Sequence, residues 1–478
     1  MGALHTVSEP EPVEPGCSTI PVVASHLSSD RRIMPPAVSR LLRVAIGRSA
    51  VALATLGVLL ILVPPENFGQ LARVMAVPAV FSTLATLGLD RAIVSAPDRE
   101  QRCLRAACLV TIGCVSLLSG LVSGLTLHLF DSPTHRATEL RYVLAAVIGT
   151  ASPAVAGFQN VAIRALLRAH AAEVAARLGS SAAIVVTGVQ IISVALARDS
   201  FDVLLLGTAL GTTLAAIRLF SGIPPPVDGD TPKPSRVILT VRANVRLALA
   251  RLIASGLSAF RTQMVYIILS AGGPARLSLT GAVKVADVFS GASSSIVERS
   301  WGAHLATLDW RIAGGDFQAP LSVLLGAFRT WFMKRAVTAV LAALVLGIGM
   351  ESLCPADWRG VMPYAPTLVF GALVTTLLAW TERISEYARR GVLGVAAELL
   401  ASIPVLSGAL FLLISPSISA GGAVMGISIA MGQALRCYVS TDLCARTERL
   451  KFLAAVIGFG ALVATSFWIG ISIRAALV

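Results

Sequence analysis

Apolar runs of roughly span length recur along this chain, each closed by a polar or Pro/Gly-rich break. They fall at 44–63, 69–89, 106–129, 142–162, 178–197, 203–222, 247–270, 276–297, 336–355, 364–381, 391–415, 419–436 and 452–474. About twenty apolar residues in a helix rising 1.5 Å per residue cross the hydrocarbon core of a bilayer. Thirteen spans are therefore expected, and the fold class is an all-α, polytopic helical membrane protein. Composition agrees: of 478 residues 55% are hydrophobic and 14% charged, with a mean hydropathy of +0.78. A soluble chain of this length would need a polar surface that this one does not supply.

Charge changes the picture next. The formal net charge is +13, which in a soluble protein would suggest nucleic acid. Placed between the spans, however, 27 of the 39 Lys and Arg fall in alternate segments that include the N-terminal tail, 6 in the opposite set and 6 within spans. That asymmetry puts the N-terminus in the cytosol of a bacterial cytoplasmic (inner) membrane protein and, with thirteen spans, the C-terminus outside. Nucleic acid is excluded as a partner. The outer loops are short, which excludes an extracytosolic catalytic domain. The seven Cys show no metal or redox spacing and the six His form no cluster, so neither metal nor cofactor is expected and the chain does not read as an enzyme.

A division into halves is expected from the Pro-rich stretch "PPPVDGDTPKPSR". Residues 1–43 read as a disordered cytosolic tail, 44–222 as an N-terminal six-helix lobe and 223–246 as a cytosolic linker. Residues 247–436 read as a C-terminal six-helix lobe and 437–478 as one additional helix. "VFS" recurs at 80–82 and 288–290, an offset of 208, each time after a short Pro-containing hairpin. Six spans per half make the repeat parallel, with a pseudo-two-fold axis normal to the membrane.

The eighth run carries the chemistry. Thr280, Lys284, Asp287, Gly291, Ser294 and Glu298 recur at helical spacing as one polar stripe. A charge at mid-bilayer costs about 2.5–3.5 kcal/mol on insertion scales, so the stripe is expected to face protein or water. Lys284 and Asp287, at i, i+3, could also simply neutralise one another. The short connection 271–275 makes runs seven and eight an antiparallel hairpin. Arg261, Lys284 and Asp287 then lie about 12–16 Å below its outer end, near one depth. Arg48 and Arg251 add cations toward the inner side. Arg251, like Arg73 and Arg218, is close enough to a span end to snorkel. Glu398, two turns in from the inner face, is expected to make a structural hydrogen bond.

At "PPENFGQLARVMAVPAVFSTLATLGLDRAIVS" (64–95) the sequence resembles the polysaccharide-biosynthesis (Wzx-like) flippases of the MOP superfamily, relatives of the MATE and lipid II flippases. Glu66, Phe68 and Gly69 fill the acidic-aromatic-glycine hairpin typical of that family. Leu87, Gly88 and Leu89 fill its leucine-glycine-leucine motif. "FQNVAIRALLRAHAAEVAARLGSSAAIVV" (158–186) is similar to its connector into the fifth span, with Arg164, Arg168 and Arg177 expected at lipid headgroups. The family usually has twelve or fourteen spans, where thirteen are counted here.

The resemblance implies translocation of a lipid-diphosphate-linked oligosaccharide or polysaccharide precursor by alternating access. Membrane lipids, and polysaccharide polymerases or glycosyltransferases, would be its partners. Arg48, Arg251, Arg261 and Lys284, with Asp287, would meet the diphosphate, because guanidinium and ammonium groups suit phosphate. The competing reading is a MATE-like multidrug or organic-cation antiporter, which would favour acidic intramembrane residues. A non-transporting scaffold stays open.

Overall fold

The computed structural model describes residues 57–91, 93, 98–130, 139–168, 172–196, 200–223, 234–273, 276–288, 290, 320–353, 355–378, 381, 391–414, 421–442 and 444–477. Every expected span meets a helix within these ranges. In chain order they are α1 (57–62), α2 (Pro65–Leu84), α3 (Asp98–Phe130), α4 (Glu139–Arg168), α5 (Ala172–Leu196), α6 (Phe201–Ser221) and α7 (Pro234–Ser270). Then come α8 (276–288), α9 (Pro320–Leu353), α10 (Ala365–Leu378), α11 (Gly391–Ile414), α12 (Gly421–Ser440) and α13 (Arg446–Leu477). Eight of the described helices are long and apolar enough to cross a membrane. The fold is all-α and multi-pass: in hydrocarbon only a helix or a closed barrel satisfies its own backbone.

Several helices start ahead of their apolar runs, and three show the reason. α7 begins at Pro234, inside the stretch read as linker; α9 begins at Pro320 and α13 at Arg446, ahead of runs starting at 336 and 452. The added turns carry Arg and Lys (Arg236, Arg242 and Arg246 in α7; Arg329, Lys334 and Arg335 in α9; Arg446, Arg449 and Lys451 in α13), so an apolar count stops where the hydrocarbon stops while the helix continues. Pro at the first helical position costs nothing there. At 37 residues, α7 is about 55 Å long against a core of about 30 Å.

Arg164, in the connector expected at lipid headgroups, keeps a side chain that is 38% exposed. It lies inside α4, and its Nε is 3.7 Å from Asp90 Oδ2. Asp90 also accepts from Thr86 Oγ1 at 2.6 Å. The backbone between them turns through Leu87 (φ 48°) and Gly88 (φ 73°), both left-handed, which ends α2. Arg168 and Arg177 have side chains outside the described residues.

Small residues set the closest helix approaches. In the antiparallel pair α3–α4, Gly120 faces Thr150, and Gly149 faces Ser123. α4 also packs on α2, α5 and α6; its first turn is tied to that of α6 by Arg141, which donates to both oxygens of Asp202. In the second half α11 packs on α7 and α12, and α13 on α9 and α10. α9 and α13 run parallel: Phe328 meets Phe452 and Phe459 toward one end, Gly347 meets Gly470 at the other.

The two halves meet along α2, which touches both α7 and α8. A Cβ on Gly69 would overlap the Leu277 carbonyl, and one on Gly281 the Pro65 carbonyl. Beside this crossing Ser278 Oγ donates to Glu66, and Trp358 Nε1 donates to the Val63 carbonyl at 3.0 Å. Phe68 sits edge-on to Trp358, ring centroids 6.1 Å apart. The acidic-aromatic-glycine hairpin thus has a physical role: a hydrogen bond, a ring contact and room for a second backbone. α2 is not among the eight helices that are long and apolar enough to cross a membrane. It carries Glu66, Asn67, Gln70 and Arg73 because it lies between protein surfaces.

Candidate functional site

Two charged groups stand within the membrane-spanning helices of the second half. The first is on α8. Lys284 Nζ is 3.7 Å from Asp287 Oδ2, with side chains 26% and 44% exposed. Tyr266, on α7 and almost fully buried, donates its hydroxyl to the same Oδ2 at 3.0 Å. Its ring lies 5.1 Å from Lys284 Nζ, a cation–π distance. A partly exposed ion pair contributes at most about 1 kcal/mol. Each ion at mid-bilayer costs about 2.5–3.5 kcal/mol, so the pair does not justify itself by stability. It fits a water-lined opening. Of the rest of the stripe, Thr280 is buried and donates to the Arg276 carbonyl of its own helix. Gly291, Ser294 and Glu298 lie outside the described residues.

The second group is deeper. Arg261 of α7 donates from Nη1 to Glu398 Oε2 of α11 at 2.9 Å, and Nη2 reaches Ser258 Oγ at 3.4 Å. Arg436 of α12 places Nε on the other carboxylate oxygen, Oε1. Side chains are 5%, 2% and 15% exposed for Arg261, Glu398 and Arg436. Glu398 is thus not the acceptor of an isolated hydrogen bond but the shared anion of two guanidiniums. Arg436, counted by sequence among the inner-loop cations, is inside the helix bundle for the same reason.

A cavity of about 80 Å³ joins the two groups. Its wall includes Arg261, Tyr266, Asp287, Thr375, Met425 and Gln433, contributed by α7, α8, α10 and α12. The structure therefore brings Arg261 and Asp287 to one chamber, with Lys284 joined to it through Asp287. Arg48 lies outside the described residues. Arg251 is within α7, but its side chain is not described. Sequence reasoning missed Tyr266, Gln433 and the role of Arg436. A signal did exist for Arg436: an acid such as Glu398 in an apolar span needs a cation from another helix. Among the described residues no cluster of three His, Cys, Asp or Glu could hold a metal.

The sequence matches no protein-family profile and no curated protein. Solved structures do match. A structure described as lipid II flippase MurJ in an inward closed conformation aligns over 91% of this chain and 97% of its own. It does so at 12% identity with a TM-score of 0.60. A MOP-superfamily transporter from Pyrococcus furiosus Vc1 (DSM3638), described as having a binding pocket of reverse polarity, aligns over 88% and 96% at 14% identity, TM-score 0.51. An inward-facing multidrug resistance MATE transporter aligns over 92% and 98% at 14% identity, TM-score 0.49. The chain has the fold of MOP-superfamily transporters.

Proposed function

We propose that this protein translocates a lipid-diphosphate-linked saccharide precursor across the cytoplasmic membrane by alternating access. Residues 44–222 and 247–436 would rock against one another as two six-helix lobes. The observation that carries the reading is the sign of the interior charge. Among the described residues, the two groups around the chamber hold three cations, Arg261, Arg436 and Lys284, against two carboxylates, Glu398 and Asp287. A site for organic cations would need the opposite balance. Support for the paired lobes comes from Gly69 and Leu277. These residues are 208 apart, as the two "VFS" segments are, and they touch one another at the α2–α8 crossing, where a pseudo-two-fold axis would pass.

Within this reading Lys284 and Asp287 are the exposed elements that meet the substrate. Arg261 forms the wall behind them, and Arg48 and Arg251 keep the substrate-binding role expected of them from the sequence. A Lys284→Met, Asp287→Leu double variant removes the pair without stranding either charge. It is expected to insert normally and to lose most transport, read as lipid-linked intermediates that accumulate by mass analysis when it replaces the native gene. Wild-type transport by that variant would leave the pair with no part in the site. Lys284→Arg keeps the charge and should insert, but transport should change, because a planar fork does not replace a point charge.

Topology follows from the same frame. α13 runs parallel to α9, so its C-terminal end is on the side where Trp358 seals the Val63–Gly69 hairpin. With the N-terminus cytosolic that side is outside. Alkaline phosphatase fused after Val478 is expected to be active. Activity there of a reporter that works only in the cytosol would reverse the assignment.

A further inference from the structure

We propose that the groove between α3, α4 and α6 is a site for one anionic phospholipid, with its acyl chain in the groove and its phosphate at a basic inner rim. The inference goes beyond the transport reading and involves no residue of that site.

Shape is the first argument. The groove holds about 800 Å³, within the roughly 300–1,000 Å³ of pockets that take organic molecules. Along α4 it runs from Val143 to Phe158, a rise of about 22 Å. That exceeds one leaflet of a hydrocarbon core about 30 Å thick, so the groove can take a whole acyl chain. Phe158 and Phe220 stand at its inner end, ring centroids 5.3 Å apart. Thr150 and Thr213 donate their hydroxyls to the Ala146 and Ala209 carbonyls of their own helices, which leaves the wall apolar there. Ser116 is buried and has the Ile112 carbonyl one turn back on its own helix. Gly113, also on the wall, is exposed, and a Cβ there would meet nothing within 4 Å. A glycine weakens a helix interior, and this one serves no close helix approach. Its missing side chain keeps the groove open.

Position is the second argument. Ala145 and Ile148 of α4 belong to the core shared with α2, the helix that meets the second half. They lie about 100–180° round α4 from Val147 and Ala154, which line the groove. The groove therefore faces away from the junction of the halves. All three of its helices are long and apolar enough to cross a membrane, so the medium at this face is hydrocarbon.

Charge selects the occupant. α3 and α4 are antiparallel, with Gly157 against Ile112. Arg105 and Arg164 each lie seven residues beyond that contact, about 10 Å further in. Arg218 stands two residues before Phe220 on α6 and is exposed. It makes no ion pair among the described residues. Helical spacing puts it about 100° round α6 from Ile217, within the swing of a snorkelling side chain. Each groove helix thus brings an arginine to the level of the inner headgroups, where such cations attract anionic lipid. Carboxylates on these helices lie elsewhere: Asp98 and Glu100 at the start of α3, Glu139 and Asp202 at the outer starts of α4 and α6. A second copy of the chain docked on this face about an axis normal to the membrane would bring none of them to Arg218. A phosphate headgroup matches it.

The test uses the purified full chain in detergent, offered dioleoyl phosphatidylglycerol and dioleoyl phosphatidylcholine in equal amounts. Native mass spectrometry should find one phosphatidylglycerol retained per chain. Gly113→Phe puts a ring where nothing stands, so it should fold and lose the lipid. Arg218→Gln and Arg105→Gln should each lower the preference for phosphatidylglycerol about fivefold. Equal retention of both lipids by the wild type overturns the proposal. So does wild-type retention by Gly113→Phe, or an unchanged preference in both arginine variants. A dimer that Gly113→Phe dissociates would make this face a subunit interface and overturn it too. Should Gly113→Phe not fold, phosphatidylglycerol with a diazirine in its acyl chain decides on the wild type. Labelling concentrated in 112–117, 143–158 and 213–220 supports the site, and equal labelling of the exposed face of α9 overturns it.

Discussion

Transport should fall to background when a Glu66→Cys, Ser278→Cys pair is joined by a short thiol cross-linker, and it should return when a cleavable linker is cut. The two side chains touch in this structure, next to the Gly69–Gly281 crossing where backbones approach without side chains between them. Trp358 closes the same end from α10's side through its bond to the Val63 carbonyl. Alternating access requires this end to part once per cycle. Contacts holding it include one side-chain hydrogen bond, one indole bond and one edge-on ring pair. Hydrogen bonds contribute about 1 kcal/mol each, or about 1.5–3 kcal/mol to a carboxylate such as Glu66, so the closure can be reversed by substrate binding, whereas a covalent link cannot. The experiment needs a background without the seven native cysteines, since Cys114 is exposed. Full transport with the link intact would mean that this end never opens.

The sequence located the helices because hydrocarbon imposes one rule on each of them, and an apolar run is all that rule requires. It misplaced the starts of α7, α9 and α13, where the helix leaves the hydrocarbon and the rule ends. It also graded α2 with the other spans. That helix carries Glu66, Asn67, Gln70 and Arg73 because it faces α7 and α8. The motif residues became intelligible only as contacts. Gly69 has to be small for Leu277, and Gly88 lies in a left-handed turn.

The candidate site divides in the same way. Lys284 and Asp287 are three residues apart on one helix, and their pairing can be read from spacing alone. Arg261 and Glu398 are 137 residues apart, and no local pattern links them. Arg436 looked like a loop cation because it lies near the end of an apolar run, yet it turns inward to Glu398. Tyr266 and Gln433 are single polar residues in apolar helices, and only the packing of α7 against α8, and of α12 against α11, shows what they serve.

Glu398→Gln should be the most destabilising single substitution in the second half. The amide would leave Arg261 and Arg436 buried with no anion between them. Removing one partner from a buried ionic group costs about 3–5 kcal/mol, a large share of the roughly 5–15 kcal/mol that stabilises a folded domain. Reduced membrane insertion and a much lower thermal midpoint in detergent are expected. Glu398→Asp keeps the charge but shortens the reach to two fixed guanidiniums, so its midpoint should fall between the two. A triple replacement, Arg261→Met, Glu398→Leu, Arg436→Met, removes the charges together and fills their volume. It should recover most of the lost stability, since buried ionic groups are often replaceable by apolar residues of similar size. If Glu398→Gln unfolds at the wild-type temperature, Glu398 is not the anion that balances the two arginines.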